Sequence, residues 1–211
     1  MEIERRILNV TQRAAGDNDN PVIEGEAAVF NQETIIGDYF REMIEPGAFK
    51  RVLSENPDVV AALNHNWDQV LGRTTAGTLS LEETETGLHY RTDINPDDSD
   101  AMNTWRKVKR GDVNQASFAF TIRRQEWVDP PNPAELALRI IKEFDTLYDV
   151  GPCTFGAYPE ASASARSKAS ELQELAQRQE PDAGEPETDP QELVETERRR
   201  LEYLKIKYPT R

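Results

Sequence analysis

The sequence is short of the residues on which most small-site chemistry depends: one cysteine, Cys153, and two histidines, His65 and His89, among 211 residues. A single cysteine excludes an internal disulfide and accords with a reducing compartment. Zinc sites take three or four Cys, His or carboxylate ligands at close spacing. His65, His89 and Cys153 show no such spacing, so neither a metal nor another cofactor is expected. Neither common glycine-rich phosphate loop is present. Lys and Arg number 25 against 39 Asp and Glu, a formal net charge of −14. Gripping nucleic acid through its phosphates needs clustered positive charge, so no nucleic-acid partner is expected. No apolar run approaches the roughly 20 residues of a membrane-spanning helix. Met1 to Val10 also lacks the basic start, apolar run and small-residue cleavage site of a secretory signal. The expectation is a cytoplasmic chain with no membrane partner.

What is present divides into two materials. Residues 1–160 carry short apolar runs separated by turn signals, and Ile7–Val10, Val22–Phe30, Val59–Leu63 and Thr78–Leu81 read as strands. Gly87–Ile94 alternates as a strand does, and Asn114–Ile122 and Glu135–Val150 continue the series. Helical spacing occurs at Ala48–Ser54 and at Ser99–Arg110. In the second, Met102, Trp105 and Val108 fall three apart, with Ser99 as N-cap and Gly111 as stop. The fold class expected is β-dominated α+β: a closed or strongly curved β-barrel flanked by a few helices, plus a helical or disordered C-terminal tail. Residues 161–190 read as a small-residue and acidic linker, largely disordered, with a short polar helix over Ser167–Gln179. Within it, Glu180–Pro190 holds five acids, three prolines and no base. Residues 191–211 regain helical spacing: Val194, Leu201, Leu204 and Tyr208 form a stripe suited either to a solvated helix or to docking on another subunit.

With so few nucleophiles and bases, elimination is informative. Cys153, between apolar neighbours, reads as a small buried hydrophobe, and His89 lies within an alternating strand. His65 follows the apolar strand Val59–Leu63, a place where an imidazole can be held rigidly at a cleft as a general base needs. A half-buried histidine bonded to its own turn fits the same pattern. Ser117, in Ala116-Ser117-Phe118-Ala119-Phe120, shares a strand face with Ala119 and Thr121 while Phe118 and Phe120 take the other. A serine hydroxyl is a poor nucleophile without an adjacent base, and His65 is the leading candidate for that base.

Read together, these motifs resemble a known family. In order along the chain stand Gly25-Glu26-Ala27-Ala28-Val29-Phe30, then Phe40-Arg41-Glu42-Met43-Ile44-Glu45-Pro46-Gly47-Ala48-Phe49, then Ala62-Leu63-Asn64-His65-Asn66 and Val70-Leu71-Gly72-Arg73-Thr74. They continue through Gly77-Thr78-Leu79-Ser80-Leu81, Gly87-Leu88, Ala116-Ser117-Phe118-Ala119-Phe120, and Leu147-Tyr148-Asp149-Val150-Gly151-Pro152-Cys153-Thr154-Phe155. Over about residues 5–160 the chain resembles the prohead proteases of tailed phages with the HK97-like capsid, whose fold is similar to that of the herpesvirus assembly proteases.

The resemblance implies a serine endopeptidase that cleaves the scaffold segment of the major capsid protein, and itself, inside the procapsid in the host cytoplasm. It makes Ser117 the nucleophile and His65 the base. For the third member, which holds the histidine tautomer, it points to Asp149, with Glu143 as alternative. Apart from the resemblance, Arg73, in Leu71-Gly72-Arg73-Thr74, reads either as a contributor to the oxyanion site or as a surface strand arginine. The chain departs from the family pattern at Asn66, Ala116, Ala119 and Gly151. The competing expectation is a non-enzymatic assembly or scaffolding protein that kept the fold.

Overall fold

The computed structural model describes residues 2–8, 12–130, 132, 134–154 and 163–178. The strands are β1 (Glu4–Leu8), β2 (Gln12–Ala15), β3 (Val22–Val29), β4 (Thr34–Ile36), β5 (Phe40–Ile44), β6 (Val60–Ala62), β7 (Val70–Arg73), β8 (Leu79–Glu83), β9 (Gly87–Asp93), β10 (Gln115–Val128) and β11 (Leu138–Cys153). The helices are α1 (Lys50–Ser54), α2 (Ser99–Arg110) and α3 (Ala163–Arg178). The architecture is β-dominated α+β.

These strands make two sheets and not a closed barrel. The larger runs β1-β10-β11-β5-β4, with β6 and β7 continuing from the far end of β11; the smaller runs β2-β3-β9-β8. Of the expected closed or strongly curved barrel, no closure is found among the described strands, and one edge of β11 is shared. It pairs in parallel with β5 through Leu138–Ile141 and with β6 through Asp149 and Val150. The sheet therefore forks instead of wrapping onto itself. In the gap between β5 and β6, Phe144 N–H donates to Ala48 O at 3.1 Å, and Arg51 Nη2 donates to the carbonyls of Phe144 and Asp145 at 2.8 and 2.9 Å. An arginine here supplies the donors that a neighbouring strand would otherwise provide.

The two sheets face each other across one apolar core. Phe49 stacks on Phe144 at 4.3 Å and Phe118 on Phe120 at 4.7 Å, with Phe120 edge-on to Phe144 at 4.9 Å. Each such burial contributes roughly 1.5–3 kcal/mol before entropy. Helix α2 buries Met102, Trp105 and Val108, as their spacing predicts. Its N-cap is Asp98 rather than Ser99: the Asp98 carboxylate accepts from Asp100 N and Ala101 N, while Ser99 is already helical. Gly111, at φ +89°, ends the helix.

Helix α3 starts earlier than the sequence suggests and is docked. Ala165, Ala169 and Leu172, at helical spacing, are buried, the alanines against Ile36, Phe40 and Trp127. Near it lies a buried ionic cluster. Arg6 holds Glu42 with two bonds of 2.6 and 2.7 Å and Glu4 at 2.6 Å. Arg139 holds Glu4 with two bonds of 2.8 Å and Glu42 at 3.1 Å. The Arg139 guanidinium also sits over Phe40 and Trp127, the rings on which α3 packs. The first compact unit ends at Gln177 and the second is Arg178–Arg211. The expectations for residues 179–190 and for the helix over 191–211 fall outside the described residues.

Candidate active site

Strand β6 leaves the sheet through one turn of 3-10 helix, Leu63–His65. Asn64 and His65 both take left-handed backbone angles, φ +53° and +57°. Asparagine tolerates this region; in histidine it is uncommon and costs on the order of 1 kcal/mol or more. Side chains brace the turn. Asn64 Oδ1 accepts from Thr154 N–H at 2.9 Å, and Asn66 Oδ1 accepts from Asp68 N–H at 3.0 Å. The polar run Asn-His-Asn is thus a local construction that turns an imidazole back onto β11.

The imidazole meets Asp149. His65 Nδ1 lies 2.7 Å from Asp149 Oδ1, and Trp67 Nε1–H donates to Asp149 Oδ2, also at 2.7 Å. Asp149 is 1% exposed. An ionised carboxylate only accepts, so Nδ1 carries the imidazole proton and Nε2 presents its lone pair. That Nε2 is buried and has no hydrogen-bond partner. A buried acceptor left empty is unusual in a native structure.

Ser117 approaches the same place through the β10–β11 ladder. Ser117 lies opposite Gly151 and Ala119 opposite Asp149. Directly opposed residues share a sheet face, so Ser117 and Asp149 stand diagonally on one face while Phe118 and Val150 enter the core on the other. Diagonal neighbours in a ladder are roughly 7 Å apart, a gap that an imidazole with a hydrogen bond at each end fills. No hydrogen bond joins Ser117 to His65: Ser117 Oγ, 1% exposed, donates to Gly151 O at 3.4 Å. Catalytic contacts of this kind are often long before substrate binds.

Gly151 has a steric role. A Cβ there would lie 2.5 Å from Ala62 O and 3.0 Å from Ala62 N, and its φ is +149°. The chain between β6 and the histidine turn passes directly over it.

The other candidates lie elsewhere. Glu143 is paired with Arg51 at 2.7 Å and Arg123 at 3.3 Å. Arg73 is bidentate with Asp58, at 2.7 and 2.6 Å, on the surface. His89 faces Glu26 across the smaller sheet at 3.2 Å. Cys153 is buried at the end of β11. Among the described residues no three of His, Cys, Asp and Glu converge as metal ligands, and no helix is long and apolar enough to cross a membrane. Sequence reasoning missed Trp67. The available signal was an aromatic N–H donor in an otherwise polar loop, two residues past the histidine.

Comparison with known proteins agrees with the order of motifs. The sequence profile of the caudovirus prohead serine protease family matches residues 8–177. The prohead protease of Enterobacteria phage HK97 is 32% identical over 152 residues, which is 71% of this chain and 62% of that protein, so the chain spans less than two thirds of its length. The solved bacteriophage T4 capsid assembly protease superposes with a TM-score of 0.45 at 11% identity, over 74% of this chain and 99% of that one.

Proposed function

Because this chain belongs to the caudovirus prohead serine protease family, we propose that it is a serine endopeptidase that cleaves capsid or scaffold protein segments, and itself, within the immature phage head. Ser117 is the nucleophile, His65 the general base and Asp149 the carboxylate that fixes the imidazole. The observation that carries this reading is the His65–Asp149 contact of 2.7 Å with Nε2 left unpartnered beside the strand face that bears Ser117. In the reaction Nε2 takes the Ser117 proton as Oγ attacks the scissile carbonyl, then returns it to the leaving amine; water later releases the acyl group. Asp149 stabilises the imidazolium and holds the tautomer throughout. Glu143, engaged by Arg51 and Arg123, is assigned a structural part.

The partners proposed are the major capsid protein with its scaffold segment, and this chain itself, through autocleavage and as a homo-oligomer. The site of action proposed is the procapsid in the host cytoplasm. Residues 191–211 are proposed to target the protease to the capsid or scaffold, and packaging of a chain ending at residue 190 tests this: undiminished packaging removes the idea.

The deciding experiment is co-expression with the capsid or scaffold partner, wild type beside Ser117→Ala. Loss of both partner trimming and self-cleavage supports the assignment. Trimming that persists in Ser117→Ala overturns it. A non-enzymatic scaffolding role is then the better account, and the feature in its favour is that Ser117 Oγ bonds Gly151 O and not His65.

A further inference from the structure

His65 is oriented by Asp149, and Asp149 in turn needs something to orient it. A carboxylate is joined to its chain by a single bond whose torsion is broad. One hydrogen bond, to His65, leaves its plane free to swing. The second oxygen decides the matter, and here it accepts from Trp67 Nε1 at 2.7 Å. Asp149 is almost wholly buried, so water is a poor substitute at that oxygen. An indole N–H is well suited to hold it, because it donates only, carries no charge, and lies on a flat, rigid ring.

Trp67 itself has little other reason to be where it is. It is 50% exposed and belongs to neither of the apolar core clusters. Its polar atom nevertheless points inward to the carboxylate. It sits two residues after His65, so the turn that delivers the base also delivers the group that fixes the base's partner. One short segment thereby grips both oxygens of Asp149.

We propose that Trp67 is a positioning residue, whose indole N–H sets the plane of the Asp149 carboxylate and, through it, the tautomer and aim of His65. This rests on the protease reading above. The hydrogen bond of its indole goes to Asp149 and not to Ser117 Oγ or His65 Nε2, so its loss should lower the rate of the chemical step and leave binding unchanged.

The test uses the full chain and diisopropyl fluorophosphate, a small probe that reports an activated serine without requiring the natural substrate. Trp67→Phe keeps an aromatic ring and removes the donor. Trp67→β-(3-benzothienyl)alanine replaces only the N–H by sulfur, so a folding defect cannot mimic the result. Both should lower the maximal inactivation rate about tenfold, as loss of an outer orienting partner commonly does, with the half-saturating concentration within about twofold of wild type. Unchanged inactivation rates in both variants, with Ser117→Ala unlabelled, overturn the positioning role and leave the protease reading intact. A change confined to half-saturation also overturns it, because that marks a wall of the binding site. Labelling that persists in Ser117→Ala sinks the protease reading instead. Trp67 is then judged by proton NMR in the Ser117→Ala background. The low-field His65 Nδ1–H signal should move upfield or broaden when the indole N–H is removed, and an unmoved signal overturns the proposal.

Discussion

Among the described residues, two buried polar sites are satisfied differently. In the cluster of Glu4, Arg6, Glu42 and Arg139, two carboxylates meet two guanidiniums, and every carboxylate oxygen accepts at least one bond. Around His65, Asp149 and Trp67 the carboxylate is equally well supplied, yet the chain of bonds stops at His65 Nε2. A closed network holds the first site in place; the second is held just as firmly on one side and left open on the other. An unmet acceptor in a packed interior destabilises a fold by about 1–3 kcal/mol. Its position beside the serine-bearing strand is what the proposed mechanism draws on.

Substitutions can break that contrast. The largest effect is expected at the open site. Ser117→Ala, His65→Ala and Asp149→Asn should each lower partner trimming on the order of 10⁴-fold or more, with thermal midpoints near wild type. Glu143→Gln should retain most activity, and a loss as deep as that of Asp149→Asn would return Glu143 to the site.

The closed site should behave oppositely. Arg139→Met leaves two buried carboxylates to one guanidinium and Glu4 Oε1 without its donor, and should cost about 3–5 kcal/mol of stability in urea unfolding. Exchange of all four residues for apolar ones of similar volume should cost much less. Equal costs would show that the cluster is not one unit.

Between the two sites, Gly151→Ala forces a Cβ against Ala62 O and should cost about 1–3 kcal/mol. It should depress activity disproportionately, because Ala62 leads into the His65 turn. Activity falling only in step with stability would separate the two.

Acid gives the smallest effect and distinguishes the sites by titration. Burial alone would raise the Glu4 carboxyl, but the hydrogen bond from Arg139 and the charges of Arg6 and Arg139 outweigh it and hold it below its ordinary value. A carboxyl depressed in the folded state binds its proton more readily when unfolded. Its stabilisation is therefore complete above the ordinary value of about 4.5 and is lost as pH falls through the lower folded value. Urea midpoints should be flat in this respect above pH 5 and decline below about pH 4.5, and a decline beginning near neutrality would assign the acid sensitivity to another group.

Much of the smaller sheet and α2 was legible in the sequence: Gly87–Asp93 and Ser99–Arg110 hold close to their periods, while Val22–Val29 is readable from its apolar run although a register shift at Glu26/Ala28 breaks its alternation. The strand β11 was not, beyond its existence. Its core-facing residues are Ile141, Phe144, Leu147 and Val150, three apart instead of two, because register shifts interrupt its pairing with β10 at Ala119/Phe120 and Thr121/Ile122. Asp149 and Glu143 stand six apart, an even number, so simple alternation puts both on one face and could not choose between them. Six residues of strand span about 20 Å, so only one of the two can reach His65. The short strands β4, β5 and β7 have little pattern to read, and their place follows from partners far away in sequence. His65 and Ser117 were singled out by the order of motifs. The left-handed turn that aims the imidazole is a matter of backbone angles that sequence pattern does not carry.

The forked strand β11 also has a consequence in time. It is the last of the described strands to leave the ribosome, yet β5, β6 and β10 all pair with it. Until β11 and residue 154 have emerged, β6 lacks its parallel neighbour, and the turn bearing His65 lacks Asp149 to bond and Thr154 to hold Asn64. Pairings between distant segments form slowly because loop closure comes first. On the protease reading, a nascent chain is inert by construction, and the order of synthesis postpones cleavage until the whole domain is made.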